Sequence, residues 1–116
     1  MSSKEAGNCF ETIACEYLEQ KELKLVTRNY RVNDGEVDLI MKDGQYWVFI
    51  EVKYRQNDRM YDIREVLEPE QKKRIKRTAK LFLHQHKISE FEVRIRFDFV
   101  GITGTPFQIE WLQDAF

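Results

Sequence analysis

The spacing of apolar residues predicts two helices and five strands. Residues 3–21 are typical of a helix whose apolar stripe comprises Phe10, Ile13, Ala14, Tyr17 and Leu18. A second helix is expected to begin near Pro69, because a proline at the first helical position loses no hydrogen bond. Its inward stripe comprises Ile75, Ala79, Phe82, Leu83 and His86. Strands are predicted at Leu23–Val32, Glu36–Met41, Tyr46–Tyr54 and Val93–Ile102, with a polar loop at Gln56–Asp62. Phe107–Leu112 is predicted to be a final fifth strand or an extended tail.

The second and third strands are predicted to form a hairpin. Asp43-Gly44 is typical of a two-residue turn, since both positions tolerate a positive φ angle. This turn sets a register that pairs Asp38 with Phe49 and Glu36 with Glu51. One face of the hairpin is then wholly apolar and is expected to lie in the core; it comprises Val37, Leu39, Met41, Val48, Ile50 and Val52.

The other face of the hairpin carries Asp38, Glu51 and Lys53 at one end. Charges that point to water from a half-exposed sheet are one explanation of this pattern. A covered pocket is favoured instead, because the same face also carries Ile40, Trp47 and Phe49. In the predicted register Asp38 is diagonal to Glu51, within reach of one ion that bridges both carboxylates.

The composition is that of one globular domain over residues 1–116. The chain has a formal net charge of -1 and 42% hydrophobic residues. It shows neither the apolar core of a signal peptide nor an apolar run of membrane-spanning length, and its two cysteines have no zinc-site spacing. We therefore expect a cytoplasmic protein without membrane association. The near-neutral charge is a mild argument against strong non-specific binding of nucleic acids.

The second helix is rich in basic residues. Lys73 and Arg77 face away from the apolar stripe, which a solvated surface explains for each residue alone. Together with Lys80 they could contact a phosphate backbone. Gln71 and Lys72 lie in line with the apolar stripe at the first turn. Lys72 therefore either extends its ammonium to the surface or meets a bound phosphate.

These residue types suit the hydrolysis of a phosphodiester. A hard cation such as Mg²⁺ takes a few carboxylate oxygens, keeps several waters and accepts a phosphate oxygen. Asp38 and Glu51 are the candidate ligands, and Lys53 is placed to orient the attacking water and to offset negative charge. Glu11 could approach from the first helix and hold a water of the ion. The role of Glu36 stays open between the same task and an ion pair with an arginine.

An aspartate strand followed by Glu-x-Lys resembles the PD-(D/E)XK nuclease superfamily. The chain as a whole is similar to the bacterial YraN-like family, regarded as endonucleases related to Holliday-junction resolvases. The matching residues are Gly7, Glu11, Ala14, Tyr17-Leu18, Arg28-Asn29-Tyr30-Arg31, Gly35-Glu36-Val37-Asp38-Leu39-Ile40, Phe49-Ile50-Glu51-Val52-Lys53, Arg55, Lys72, Ala79, Leu83, Arg96-Phe97-Asp98 and Ala115-Phe116. The resemblance implies an α/β fold with a restriction-endonuclease-like mixed sheet flanked by helices. It also implies metal-site roles for Asp38, Glu51 and Lys53, with Glu11 as the helix carboxylate.

The predicted function is a Mg²⁺- or Mn²⁺-dependent endonuclease that acts on DNA rather than RNA, including branched or structured DNA. The residues expected to contact nucleic acid are Lys72, Gln71, Arg55, Arg31, Lys73 and Arg77. The alternative is a nucleic-acid-binding or protein-interaction module that keeps the fold with little or no turnover. Resolvase-like nucleases often act as homodimers because two cuts need two sites, although no self-complementary apolar stripe identifies such an interface here.

Overall fold

The order of elements in the structure is the predicted one. The computed structural model describes residues 3–55, 67–104 and 106–116, so the predicted loop at 56–62 lies outside the described residues. The elements are α1 (Ser3–Gln20), β1 (Lys24–Val32), β2 (Gly35–Asp43), β3 (Tyr46–Arg55), α2 (Pro69–Gln85), β4 (Arg94–Thr103) and β5 (Gln108–Leu112). The predicted α/β class and element order are confirmed.

One mixed sheet carries all five strands, in the spatial order β1-β2-β3-β4-β5. Neighbouring strands are antiparallel except β3 and β4, which are parallel and are connected through α2. Helix α1 packs on one face, where Ala14 and Leu18 meet Leu39 and Ile50. Helix α2 packs on the other face, against a cluster that includes Val37, Ile40, Phe49, Ile75, Ala79, Phe82 and Leu83. The sheet is therefore buried on both sides, with apolar residues facing each helix.

The inward stripe of α2 differs from the predicted one at two positions. His86 is exposed at the C-cap rather than buried, with its ring 4.1 Å from that of Phe82, centroid to centroid. Thr78 is buried instead, because its hydroxyl donates a hydrogen bond to the carbonyl of Arg74 and is thereby satisfied inside the helix contact. Within the described residues, neither helix combines the length and the apolar character needed to cross a membrane.

The predicted register of the β2–β3 hairpin is wrong by two residues. Asp43 still belongs to β2 and pairs with Tyr46, so that Gly44 and Gln45 form the turn. Gly44 adopts φ +58°, which glycine at the first loop position does without steric cost. Ile40 is consequently opposite Phe49, and the predicted pairs of Asp38 with Phe49 and of Glu36 with Glu51 do not form. A shift of two residues leaves each side chain on its predicted face, because the period of a strand is two.

The prediction for Val37 is also wrong. Val37 packs on the α2 side with Ile40, although strict alternation would place residues 37 and 40 on opposite faces. The β1–β2 ladder passes from Arg28–Leu39 to Tyr30–Val37 without pairing Asn29 and Asp38, and Asn29 has φ 52°. Such an irregularity re-aims neighbouring side chains, as β-bulges do beside functional sites. The side chains of Val37 and Leu39 therefore lie on opposite faces of the sheet, and the regular alternation is interrupted at Asp38 between them.

Gly35, at the start of β2, permits a close approach of α2. A Cβ atom at this position would overlap the Oγ1 atom of Thr78 and lie 3.5 Å from the carbonyl oxygen of Arg74. We expect Gly35→Ala to lower the free energy of unfolding by about 1–3 kcal/mol, the usual cost of overpacking. Urea denaturation of Gly35→Ala, Thr78→Ala and the double variant tests this. The double variant should recover part of the loss; costs that simply add would contradict the proposed overlap.

A buried acid in β4, Asp98, connects this strand to the C-terminal part of the chain. Asp98 is 0% exposed and accepts hydrogen bonds from Arg96 Nε at 2.9 Å, Trp111 Nε1 at 2.9 Å and the backbone N–H of Asp114 at 2.9 Å. Arg96 also donates from Nη2 to Asp43 at 2.9 Å. The buried charge is thus paired and hydrogen-bonded, which gives it a structural role.

Candidate functional site

Asp38 and Glu51 lie next to each other at the end of the β2–β3 ladder. That ladder runs to Leu39–Ile50, and its continuation brings Asp38 opposite Glu51. Both side chains are nearly buried, with relative exposures of 9% and 6% for the two residues. The Oδ2 atom of Asp38 accepts a hydrogen bond from the backbone N–H of Val52 at 2.8 Å, which fixes its carboxylate against β3.

Lys53 and Gln71 both contact the Glu51 carboxylate. The Nζ atom of Lys53 is 3.4 Å from Oε1 of Glu51, and the Nε2 atom of Gln71 is 3.5 Å from the same oxygen. Lys53 belongs to β3 and Gln71 to the first turn of α2, so two rigid elements hold one carboxylate. Gln71, predicted to lie in line with the apolar stripe at the first turn, thus contacts Glu51, and its contact with nucleic acid stays a prediction.

Glu11 reaches the same place from α1. Its carboxyl interacts with the side chains of Asp38 and Asn29. Its Oε2 atom is buried and has no hydrogen-bond partner among the residues that the structure describes. An unpaired buried carboxylate oxygen is costly, and a bound cation would satisfy it. The structure thus brings Glu11, Asp38, Glu51 and Lys53 together at one end of the sheet.

Burial raises the pKa of all three acids. It raises the pKa of Glu51 to about 8 and that of Glu11 to about 7, and in both cases the charge of Asp38 is the next largest cause. Burial also raises the pKa of Asp38, although the hydrogen bond from Val52 acts in the opposite direction. Without a cation the site therefore retains protons near neutral pH. Neighbouring acids in this state are typical of functional sites.

The acids at this site fit a hard divalent cation. Carboxylate oxygens are the ligands that Mg²⁺ and Mn²⁺ prefer, and the unpaired Oε2 of Glu11 is a further oxygen donor. Among the described residues, no three His, Cys, Asp or Glu side chains form a ready-made cage for an ion. Mg²⁺ usually takes only one or two protein carboxylates and keeps several waters. Asp38 and Glu51 would suffice on this count, with Glu11 nearby.

The raised pKa values predict how stability depends on pH. The folded state binds more protons than the unfolded state between the ordinary glutamate pKa of 4.5 and about 8. The metal-free protein should therefore lose several kcal/mol of stability as pH rises through this window, since both pKa values are raised by more than two units and one unit corresponds to ~1.4 kcal/mol. Thermal melting in EDTA and in Mn²⁺ at pH 6 and pH 8 measures it.

The gain from Mn²⁺ should be larger at pH 8, where the cation no longer has to displace protons. A melting temperature in EDTA that stays level or rises between pH 6 and pH 8 would contradict the assignment. Glu51→Gln serves as the matched control, because it removes the group with the largest shift and should flatten the profile.

A polar cleft of about 530 Å³ opens at Glu51 and Lys53, whereas Asp38 and Glu11 are not among the described residues that line it. The β1–β2 turn, the end of β3 and the first turns of α2 line it, and its lining includes Arg31, Glu51, Lys53, Gln71 and Arg74. Of the predicted nucleic-acid contacts, Arg31 and Gln71 therefore lie in the cleft. Arg31 Nε forms an ion pair with Glu36 at 3.2 Å, which is consistent with the ion-pair alternative for Glu36.

The other predicted contacts do not line this cleft. Lys72 is half-buried at the first turn of α2, as predicted. Lys73 and Arg77 are exposed and form ion pairs with Glu70 at 3.6 Å and Asp34 at 3.4 Å. Arg55 is exposed at the end of β3 and donates to the carbonyl of Tyr54 at 3.0 Å. For these four residues a nucleic-acid contact stays a prediction.

Two residues of the site were missed in the sequence. Asn29 interacts with Glu11 from the irregular point of β1; the signal was an asparagine within a strand, because asparagine tolerates positive φ. Arg74 lines the cleft one turn after Gln71, and its spacing of three from Gln71 was the available signal.

Comparison with known proteins places the chain in a family. The sequence model of Uncharacterised protein family UPF0102 matches residues 10–102, a span that contains every candidate site residue. The chain belongs to UPF0102. This family is the YraN-like group that the sequence resembles, so that prediction is confirmed.

Several UPF0102 proteins are similar over almost their whole length. The protein from Shewanella oneidensis is 44% identical over 110 residues, covering 95% of this chain and 97% of the relative. That from Idiomarina loihiensis is 42% identical over 110 residues, covering 95% of each. That from Yersinia pseudotuberculosis is 38% identical over 116 residues, covering 100% and 97%. The UPF0102 name states no reaction, and the function is therefore argued from the site.

Proposed function

We propose that this UPF0102 protein is a Mg²⁺- or Mn²⁺-dependent endonuclease that hydrolyses phosphodiester bonds of DNA, with branched or structured DNA among its substrates. The observation that supports this most is that Glu51 and Lys53, 3.4 Å apart, line a polar cleft of about 530 Å³, while the charge of Asp38 acts on Glu51. The mixed sheet between two helices, in an order consistent with a restriction-endonuclease-like fold, agrees with the proposal.

Asp38 and Glu51 would hold the cation. A divalent cation in such a site neutralises charge on the phosphoryl group and lowers the pKa of a water. The Val52 N–H, 2.8 Å from Asp38, keeps one carboxylate in place, and Gln71 orients the other. Outer contacts of this kind position ligands and support their affinity for a metal.

Lys53 would act on the attacking water and on the substrate. Its ammonium lies 3.4 Å from Glu51 and is 29% exposed at the side chain, so it faces both the acid and the cleft. There it can donate a hydrogen bond that orients water, and its positive charge offsets the negative charge that builds up on the phosphoryl oxygens. Glu11, with a pKa near 7, can take up or release a proton beside Asp38 at neutral pH.

Cleavage assays on a panel of nucleic acids test the proposal. Linear duplex, single-stranded, flap and four-way-junction DNA, with an RNA duplex for comparison, are incubated with Mn²⁺ and either wild type or Asp38→Asn. We expect wild type to cleave at least one DNA and Asp38→Asn to cleave none. Glu90→Gln is the matched control, because Glu90 lies 4.0 Å from Lys80 and lines a separate groove, and this variant should keep cleaving. Absence of product from every substrate, or equal product from Asp38→Asn, would refute the proposal.

Metal titration separates the enzyme from a module that only binds. Calorimetry with Mn²⁺ should give heat for wild type and lose it in Glu51→Gln. A protein that binds DNA with steep salt dependence but gives no heat with Mn²⁺ would instead be a binding module. We propose that the protein acts in the cytoplasm, where a bacterial cell keeps its DNA, and that a homodimer would supply the two sites needed to cut both strands of a junction.

A further inference from the structure

The cleft above the candidate site contains nearly balanced charges. Two of its cations are paired with two of its anions: Arg31 with Glu36 at 3.2 Å, and Lys53 with Glu51 at 3.4 Å. A third acid at the rim, Asp34, is paired at 3.4 Å with Arg77, which approaches from outside the lining. Internal ion pairs thus occupy these charges before any substrate arrives.

Arg74 is the third cation that lines the cleft, and it belongs to none of these ion pairs. It lines the cleft, is exposed, and has no acidic partner within ion-pair distance among residues 3–55, 67–104 and 106–116. Its guanidinium is therefore the cation of the lining that these internal ion pairs do not occupy. A guanidinium offers several donors in a fixed plane that matches phosphate oxygens, which makes arginine well suited to bind a phosphate.

The backbone at Arg74 is held in place. Its carbonyl accepts a hydrogen bond from Thr78 Oγ1 at 2.8 Å, and the close approach of Gly35 seats this turn of α2 against β2. Gln71 lies three residues earlier on the same side of the helix and contacts Glu51. Arg74 is thus carried on a rigid element at a set distance from the candidate metal ligands.

The lining of the cleft carries no aromatic residue within the described part of the chain. The two rings that directly adjoin lining residues in the sequence pack against other rings instead: Tyr30 lies 5.2 Å from Phe82, and Tyr54 lies 4.0 Å from Phe10, centroid to centroid. Proteins that bind single strands usually stack bases on aromatic side chains. Among the described residues the cleft therefore offers cations for phosphates but no aromatic side chain on which a base could stack.

We propose that Arg74 binds a phosphate next to the scissile one, and that the substrate enters the cleft as a duplex, through its sugar-phosphate backbone. The inference rests on the proposed nuclease function, since it gives that site its substrate contact. It predicts that Arg74 contributes affinity without sequence preference, and that removing it weakens binding by the effect of one phosphate contact.

The salt dependence of binding tests the role of Arg74. Fluorescence anisotropy of a labelled DNA duplex is measured over a series of salt concentrations, in Ca²⁺ to prevent turnover. The slope of log K against log salt should become shallower by about 0.9 in Arg74→Ala, the value for one phosphate contact on duplex DNA. Lys76→Ala is the matched control: it removes the same charge from the same helix, but the Lys76 ammonium lies 5.5 Å from the centroid of the Phe97 ring in β4 and does not line the cleft. Its slope should equal that of wild type.

Several outcomes would overturn the inference, and they are distinguishable from failure of the nuclease proposal. Equal slopes for Arg74→Ala and wild type, or tighter binding of the single strand than of the duplex, would refute the role of Arg74 and the backbone entry even if DNA is cleaved. An Arg74-dependent slope without cleavage of any substrate would support the contact and refute the nuclease. No binding of any DNA would refute both. Unchanged thermal melting of Arg74→Ala shows that the variant is folded.

Discussion

Glu51→Gln should be more stable than wild type at pH 8 and inactive in cleavage. Burial of Glu51, at 6% exposure, and the charge of Asp38 make its ionised form unfavourable in the metal-free protein. The neutral amide of nearly equal size removes that cost, and we expect a gain of about 0.5–2 kcal/mol, in the range found when functional strain is removed. The same change removes a charged ligand, and we expect cleavage to slow by at least about 10²–10³-fold, as when one preorganised charge-stabilising group is lost.

Both effects are measured on one protein preparation. Urea denaturation at pH 6 and pH 8 gives stability, and the time course of cleavage in Mn²⁺ gives the rate. The stability gain should be larger at pH 8, because more of Glu51 is ionised there. Glu70→Gln is the control, since Glu70 is an exposed glutamate that contacts Lys73 outside the cleft. If Glu51→Gln destabilises the protein or keeps the wild-type rate, Glu51 is a structural acid and the site assignment is wrong.

Asp98→Ala should come close to unfolding the protein. Its removal leaves the largely buried guanidinium of Arg96 without its bidentate partner. The N–H groups of Trp111 and Asp114 also lose their hydrogen-bond acceptor. Breaking a buried ion pair from one side costs about 3–5 kcal/mol. Small domains have a total stability of about 5–15 kcal/mol, so this change removes a large part of it.

Chemical denaturation at neutral pH tests this second prediction. Asp43→Ala is the matched control: it also removes an acid from Arg96, but the Asp43 side chain is 35% exposed and its loss should cost about 1 kcal/mol. A cost for Asp98→Ala no larger than that of the control would contradict the structural role. The hydrogen-bond partners of Asp98 all lie outside the candidate site, so a folded remnant of this variant should still bind Mn²⁺.

The hydrogen-bond network of Asp98 also gives a structural role to residues that match the YraN-like family but take no part in the proposed chemistry. Arg96 and Asp98 form the buried pair, and Phe97 receives the C-terminal segment. The backbone N–H of Ala115 donates to the carbonyl of Phe97 at 2.7 Å, and the rings of Phe116 and Phe97 lie 5.5 Å apart. The matching residues at the end of the chain therefore stabilise the fold.

The elements and most of their faces, with the exception of β2 before Leu39, followed from the sequence alone. Apolar spacing identified both helices and all five strands, because burying apolar side chains requires period 3.6 in a helix and period 2 in a strand. The same period placed Glu51 and Lys53 on the face of Phe49, and that assignment survived a register error of two residues.

Tertiary contacts decided the features that make this a site. Asp43 stays in β2, where it pairs with Arg96, which is 53 residues distant in the chain. The interrupted alternation at Asp38 depends on Asn29 in the neighbouring strand. Helical periodicity placed Glu11 only at the boundary of its stripe, and the way α1 crosses the sheet brought it to Asp38.

The basic residues of α2 also show that helical periodicity does not identify the partner of a side chain. A helical wheel treats Arg74 and Arg77 as similar basic residues. In the folded chain, however, Arg77 forms an ion pair with Asp34, whereas Arg74 lines the cleft. Local periodicity states which side of an element a residue occupies. The partner that it meets there depends on how the elements pack, because those partners are distant in the chain.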